Sequence, residues 1–485
     1  MPLHALTIFT GAFLLFLVQP LIGKFILPWF GGSPGVWTTC LLFFQTLLLG
    51  GYAYAHLTTR NLTPRAQATL HLGLLGVALL WLPIAPDASW KPAPGDEPTG
   101  RILLLLTATL GLPYLLLSAT GPLVQRWFHL SHPGASPYRL YALSNVGSLL
   151  ALLTYPFVVE PLFPRLEQAW GWSVALVMFA LFCGLCAWQV RRLPEAGVTP
   201  ASDTASTGTE KASAPAALDK LHWLLWPAIA SVLLVATTNK LCVDVAVIPF
   251  LWVAPLALYL LTFILCFDHP RWYSRKVFAA LFVVGCTVSG FLLADGTHAP
   301  LPLQLVGFGA TLFVGGMLCH GELYRLRPAP QHLTSYYLFI AAGGALGGLL
   351  VAVVAPQVFD DYYELHLGLW ALAYLVAWSC WMHRSRSLAF GVGAGTILAI
   401  LLLPALLADP TEAGARAWLQ SYGPAYADFY GTHWQWPLAA LVAVVVFLRR
   451  GRDDPPATWH WRQALLPSAL TIMLAVVFLR QTTGG

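Results

Sequence analysis

The residues best placed to do chemistry in this chain are a few charges inside long apolar runs. Lys24 follows Val-Gln-Pro-Leu-Ile-Gly, and Lys240 follows Val-Ala-Thr-Thr-Asn, with Asp244 four positions further on. Glu160 and Asp360 each stand just after the proline of an apolar segment. A charge within a bilayer costs several kcal/mol unless it is paired or reaches water, so such residues mark solute paths or fixed ion pairs. As a path, Lys24, Asn145, Glu160, Lys240, Asp244 and Asp360 would line a vestibule for a cationic or zwitterionic solute. As fixed pairs, Lys24 and Lys240 would be neutralised by Glu160, Asp244 and Asp360, with Lys240 and Asp244 one helical turn apart. Both readings stand at this stage. A second group closes an apolar run as Cys319-His320-Gly321-Glu322, just before Arg325 and Arg327. A histidine that titrates near neutral pH beside an acid suits a proton relay or gate, and a helix-end cap with the arginine pair is the alternative. His320 and Glu322 are two positions apart and point different ways on a helix, which makes them a poor metal pair unless Gly321 breaks it.

Other signatures are weak or absent. Eight cysteines lie mostly within apolar segments, and Cys183-Gly-Leu-Cys186 has redox spacing but no histidine or acid nearby, so small packing residues are expected there. No phosphate-binding loop of the Walker type occurs, and Gly391-Val-Gly-Ala-Gly395 lies in an apolar run with no strand before it. No cofactor, metal site or nucleic-acid partner is expected, and enzyme activity remains open.

The elements that must position these residues are membrane helices. Apolar residues make up 58% of the chain, charged residues 10%, and mean hydropathy is +0.68. Many runs reach the roughly 20 residues that a bilayer demands. The chain reads as an all-α polytopic membrane protein with the lipid bilayer and a small-molecule solute as its partners. Spans are expected near 5–22, 35–55, 67–85, 102–124, 139–160 and 169–190. A second set is expected near 222–241, 246–267, 277–294, 302–320, 335–356 and 366–382, and three further spans near 388–407, 435–448 and 464–480. The first span, with no basic stretch before it, reads as a retained helix and not a signal peptide. Basic residues fall in alternate loops: Arg60 and Arg65, Arg126 and Arg139, Arg191 and Arg192, Arg271 to Lys276, Arg325 and Arg327. The positive-inside rule then places the N-terminus in the cytoplasm.

The chain also repeats. At an offset of 200 residues Gly121 meets Gly321, Ala142 meets Ala342, Gly147 meets Gly347, Pro156 meets Pro356 and Glu160 meets Asp360. With six spans in each half, the expected plan is two parallel six-helix repeats, 1–193 and 221–384. A flexible Ser/Thr/Ala-rich linker, 194–220, joins them, and three additional helices occupy 385–485. Small residues four apart at Gly343 and Gly347 predict a close helix crossing. The first half answers with Ser144 and Ser148, which with Asn145 form a polar stripe on the fifth span.

Three long segments carry a family resemblance: FLVQPLIGKFILPWFGGSPGVWTTCLLFFQ, SPYRLYALSNVGSLLALLTYPFVVEP and CHGELYRLRPAPQHLTSYYLFIAAGGALGGLLVAVVAP. Over roughly residues 1–385 the chain resembles the membrane region of bacterial fused spermidine-synthase-like proteins, in which a major-facilitator-like bundle precedes a soluble aminopropyltransferase-like domain. The resemblance implies a bacterial cell inner membrane protein, a polyamine-like solute, and a separate cytoplasmic synthase-like protein as a further partner. This sequence departs from that pattern: no synthase motif follows the last span, and His-Leu-Thr-Thr-Arg60 to Arg65 only weakly matches the basic loop of the major facilitator superfamily. The expected function is therefore a secondary transporter-like bundle, with a membrane component of a synthase system or a non-transporting scaffold as alternatives.

Overall fold

The structure, a computed structural model, describes residues 2–31, 34–92, 98–132, 136–192, 215–244, 250–295, 299–359 and 363–382. Its main elements are twelve helices in the expected order, and no strand occurs among the described residues. The first six are α1 (Pro2–Phe30), α2 (Pro34–Asn61), α3 (Pro64–Ala78), α4 (Pro98–Ser131), α5 (Tyr138–Thr154) and α6 (Arg165–Arg191). The second six are α7 (Ala217–Asp244), α8 (Phe250–Asp268), α9 (Arg275–Asp295), α10 (Leu301–Arg325), α11 (Leu333–Leu349) and α12 (Glu364–Met382). Eight stretches among the described residues are long and apolar enough to cross a membrane, with Val253–Asp268 as a shorter apolar helix. The three expected spans beyond residue 385 lie outside the described residues.

Helix ends differ from the expected ones in an instructive way. α1 runs on through Pro20 and Pro28 to Phe30, and α4 runs through Pro113 and Pro122 to Ser131. Proline removes one backbone donor, and a packed helix neighbour makes that loss tolerable. As a result Arg126, expected in a loop, sits within α4. α7 begins at Ala217, inside the segment read as linker. α10 passes Gly321 without a break and ends at Arg325, so His320 and Glu322 share one continuous helix.

The chain divides into two compact units. The first holds residues 1–275 and 315–364; the second holds 276–314 with the residues from 365 on. In the first unit the repeat is visible as matched crossings. α5 lies on α1 and α11 lies on α7. A β-carbon on Gly147 would come within 2.6 Å of the Phe9 carbonyl, and one on Gly347 would overlap the Ala228 carbonyl. Glycine is required because two backbones touch at these positions. Both helices then loosen at the same stage: a π-helical turn, Tyr155–Val159, follows α5, and another, Leu350–Val354, follows α11. Pro156 lies inside the first and Pro356 just beyond the second, where a ring without a donor favours a widened turn. Between the repeats, α5 meets α8 and α2 meets α11.

In the second unit α9 and α10 cross closely. The Thr311 hydroxyl donates to the Gly307 carbonyl at 2.8 Å and lies 3.1 Å from the Gly285 carbonyl, while Ser289 donates to Thr311 at 3.0 Å.

Candidate functional site

Arg126 and His129 of α4, Arg191 and Arg192 at the end of α6, Arg139 of α5, and Arg325 and Arg327 where α10 turns into α11 mark the basic end of the first unit. Here the two repeats are closed against each other by aromatic rings. Tyr141 of α5 stacks on Tyr337 of α11, with centroids 4.7 Å apart and planes at 15°. Phe263 and Phe267 of α8 pack on the same tyrosine at 5.6 and 4.9 Å. Stacked rings exclude water, and the buried hydroxyl must then find a partner. It does: Tyr337 donates to the Gln125 side chain of α4 at 2.8 Å. Tyr336 donates to the Leu323 carbonyl at 2.8 Å, and Tyr138 donates to the Pro328 carbonyl. At the rim, Arg139 and Asp268 form an exposed ion pair across the repeats at 3.4 Å.

Beneath this closure stands His320. It is fully buried, stacked on Phe263 with centroids 3.5 Å apart, and edge-on to Tyr259 at 4.9 Å. Its Nδ1 lies 2.8 Å from the Thr262 hydroxyl, and its Nε2 has no hydrogen-bond partner. A buried ring nitrogen left open is costly, and it is a position from which a proton can be taken up or passed on. Two positions along α10, which is about 200° around the helix, Glu322 faces other partners. Arg275 holds both of its carboxylate oxygens, Nε reaching Oε1 at 2.7 Å, and the Tyr273 hydroxyl donates to Oε1 at 2.6 Å. Arg325 adds a long contact of 3.5 Å. The Arg275 and Glu322 side chains are only 8% and 2% exposed. Burial, and then the Glu322 charge beside it, pushes the Tyr273 phenol well above its usual range, so that it stays a donor. Gly321 makes room: a β-carbon there would collide with the Tyr273 ring.

The expected vestibule residues divide. Lys24 of α1 and Glu160, at the far end of α5, form an ion pair away from the basic end, with side chains 29% and 40% exposed. Arg165 donates to the Lys24 carbonyl at 3.3 Å and lies over the Phe25 ring. Asn145 is buried, and its amide donates to the Tyr141 carbonyl of its own helix at 2.9 Å; Ser148 likewise donates to Ser144 at 3.2 Å. The polar stripe of α5 is thus spent largely on backbone carbonyls. Lys240 is half-buried near the end of α7. The side chain of Asp244 and the whole of Asp360 lie outside the described residues, so only the pairing of Lys24 with Glu160 is brought together here. His320 and Glu322, two positions apart on one helix, serve separate contacts. Cys183 and Cys186 are buried free thiols, the latter 3.4 Å from the Thr7 hydroxyl, and no metal-binding cluster occurs among the described residues.

Sequence reasoning missed the tyrosine closure and Arg275 as the partner of Glu322. The paired tyrosines in YRLY and SYYL were the available signal for the first. The second joins residues 47 positions apart on different helices and leaves no local trace.

No family model matches the chain, and no curated protein sequence matches it. Among solved structures, the human organic anion transporter MFSD10 aligns with a TM-score of 0.50 at 12% identity, covering 83% of this chain and 99% of that one. The proton:xylose symporter XylE of the major facilitator superfamily, bound to 6-bromo-6-deoxy-D-glucose, aligns at 0.46 and 12% identity over 83% and 94%. A double tryptophan mutant of XylE aligns at 0.43 and 12% identity over 82% and 94%. Identity this low speaks to fold alone, and the likeness rests on MFSD10. The chain is an all-α, multi-pass membrane protein with a fold similar to that of MFSD10.

Proposed function

We propose that this protein is a secondary transporter that moves a small polar or cationic solute by alternating access, seen here closed at its basic end. The observation that carries the reading is the asymmetry between the two ends of the first unit. At one, stacked tyrosines join the repeats, and a buried acid–arginine clamp within the second repeat fixes the end of α10. At the other, Lys24 and Glu160 form a half-exposed ion pair that water screens and can open at little cost. By the positive-inside rule the basic end is the cytoplasmic one and carries the N-terminus; by the resemblance of its motifs the membrane is the bacterial inner membrane.

In this scheme Glu160 and Lys24 meet the solute on the outer side, together with Asp244, Asp360, Lys240 and Asn145. His320 exchanges a proton through its open Nε2 while Thr262 fixes the ring through Nδ1. Glu322 is the structural half of the gate: with Arg275 and Tyr273 attached to both oxygens, it holds the end of α10 against the segment that enters α9.

The test is uptake into proteoliposomes carrying the full chain, with a panel of polyamines, amino acids, sugars and organic anions and an imposed proton gradient. Uptake of at least one panel member is expected. Glu160→Gln should weaken half-saturation by a solute that carries a positive charge. His320→Ala should abolish proton-driven accumulation while leaving solute counterflow intact. Failure of every panel member to move would sink the proposal, and equal loss of counterflow and accumulation in His320→Ala would remove the relay from it.

A further inference from the structure

A second feature of the basic end lies outside the tyrosine closure and the Glu322 clamp. Between the end of α4, the start of α5 and the connector from α10 to α11 lies an open cleft of about 500 Å³. It is lined by His129 and Ser136, by Tyr138, by Arg325 and Arg327, and by the Pro328–Ala329–Pro330 connector. Its charge is one-sided. The acid within reach, Glu322, already has both oxygens held by Arg275, so Arg325 gains from it only a contact of 3.5 Å. Arg327 donates one N–H to the Tyr324 carbonyl at 2.9 Å and lies 4.0 Å above the Tyr324 ring centre. A guanidinium has five donors in a planar fork, so both arginines keep several free toward the cleft.

Two further polar groups have no hydrogen-bond partner among the described residues. The Nδ1 of His129 is buried and without a hydrogen bond. One turn earlier on α4, half-buried Arg126 makes no hydrogen bond or ion pair among the described residues. A buried polar atom left unpaired, such as the His129 Nδ1, is expensive unless something supplies a partner. The start of α5 adds to the field. Pro137 caps this 17-residue helix with no side-chain hydrogen bond, and while Leu140 N–H donates to the Pro137 carbonyl at 3.0 Å, the helix N-terminus stands beside the cleft residues Ser136 and Tyr138. Helix N-termini favour anions.

We propose that this cleft binds a phosphate group, held by the forks of Arg325 and Arg327 with the His129 ring and the Ser136 hydroxyl as further donors. Planar, bidentate capture of an oxyanion is what paired arginines do best. The group would come from an anionic lipid headgroup or from a soluble phosphate ester. Either way it would join both repeats, since His129 and Tyr138 belong to the first and Arg325 and Arg327 to the second, and so hold the basic end shut.

The proposal is tested on the purified full-length protein in detergent. Native mass spectrometry would compare retention of phosphatidylglycerol with that of a galactosyl diacylglycerol, which has no phosphate. Thermal unfolding would compare inorganic phosphate and glycerol 3-phosphate with chloride at equal ionic strength. Selective retention of phosphatidylglycerol alone assigns the site to a lipid headgroup, and a rise in unfolding temperature with the soluble phosphates assigns it to a free ester. In either case Arg325→Gln with Arg327→Gln should weaken binding on the order of tenfold or more, the loss expected for charge-assisted hydrogen bonds. Arg60→Gln, which removes an exposed arginine outside the cleft, should leave it unchanged. Because Arg325 also touches Glu322, Arg327→Gln alone is the second variant, and it should retain the wild-type elution profile. Wild-type protein that prefers neither phosphate source would overturn the proposal, as would unchanged binding in the double variant.

Discussion

Two acid–base pairs of the same chemical type sit at opposite ends of the first unit, and their surroundings give them different work. Glu322 and Arg275 are buried, paired through both carboxylate oxygens and completed by the Tyr273 hydroxyl. Lys24 and Glu160 are partly exposed, and the lysine is a single-point donor on a flexible stem. Burying two charges is repaid only by full pairing, and once paired neither can be removed without leaving the other stranded. A half-exposed pair loses little when it opens, because water replaces each partner. The buried pair is therefore suited to fixing the end of α10 beneath the tyrosine closure, and the exposed one to meeting a charged solute.

The largest expected effect comes from unpairing the buried clamp. Glu322→Gln leaves the Arg275 guanidinium without its counter-charge and should cost about 3–5 kcal/mol, seen as a clear fall in the unfolding temperature of the detergent-purified protein. A fall no larger than that of an exposed variant would erase the distinction between the two ends. Next, Gly347→Leu should cost about 1–3 kcal/mol or more by overpacking, because its β-carbon meets the Ala228 backbone. Gly344→Leu should be nearly neutral in the same assay, since nothing lies within 4 Å of that site. Tyr337→Phe keeps the stack on Tyr141 but leaves the Gln125 oxygen without its donor, a loss of about 1–3 kcal/mol. Smallest of all, Lys24→Ala should change stability by no more than about 1 kcal/mol while altering solute half-saturation in transport. A large destabilisation there would mean that the far end is also locked.

The helical plan was legible because a bilayer demands long apolar runs, and the twelve expected spans each contain a helix. The duplication was legible at Gly147 and Gly347 because a residue without a side chain is needed where two backbones touch, and that need recurs with the repeat. Helix ends were harder to place. The first and fourth spans were expected to end near 22 and 124, yet α1 runs on through Pro28 to Phe30 and α4 runs on to Ser131. That continuation placed Arg126 inside α4 and out of the loop assigned to it. The site was only partly legible. Charges in apolar runs pointed to Lys24, Glu160, His320 and Glu322, but the partner of each depends on which helices meet. Arg275 was read as one of several loop cations, and only the approach of α9 to the end of α10 makes it the counter-charge of Glu322. Asn145 shows how a local bond escapes the sequence: its amide donates to the Tyr141 carbonyl of its own helix.

The central claim is that the two ends open in alternation, and paired spin-label distances across the repeats test it most directly. With Cys242 replaced and the other seven cysteines buried, one label pair at positions 139 and 268 reports the basic end. A second pair at exposed Phe163 and Val358 reports the other. On adding a transported solute with a proton gradient, the account predicts that the 139–268 distance lengthens while the 163–358 distance shortens. If both distances stay fixed, or both change in the same direction, alternating access about the tyrosine closure is contradicted.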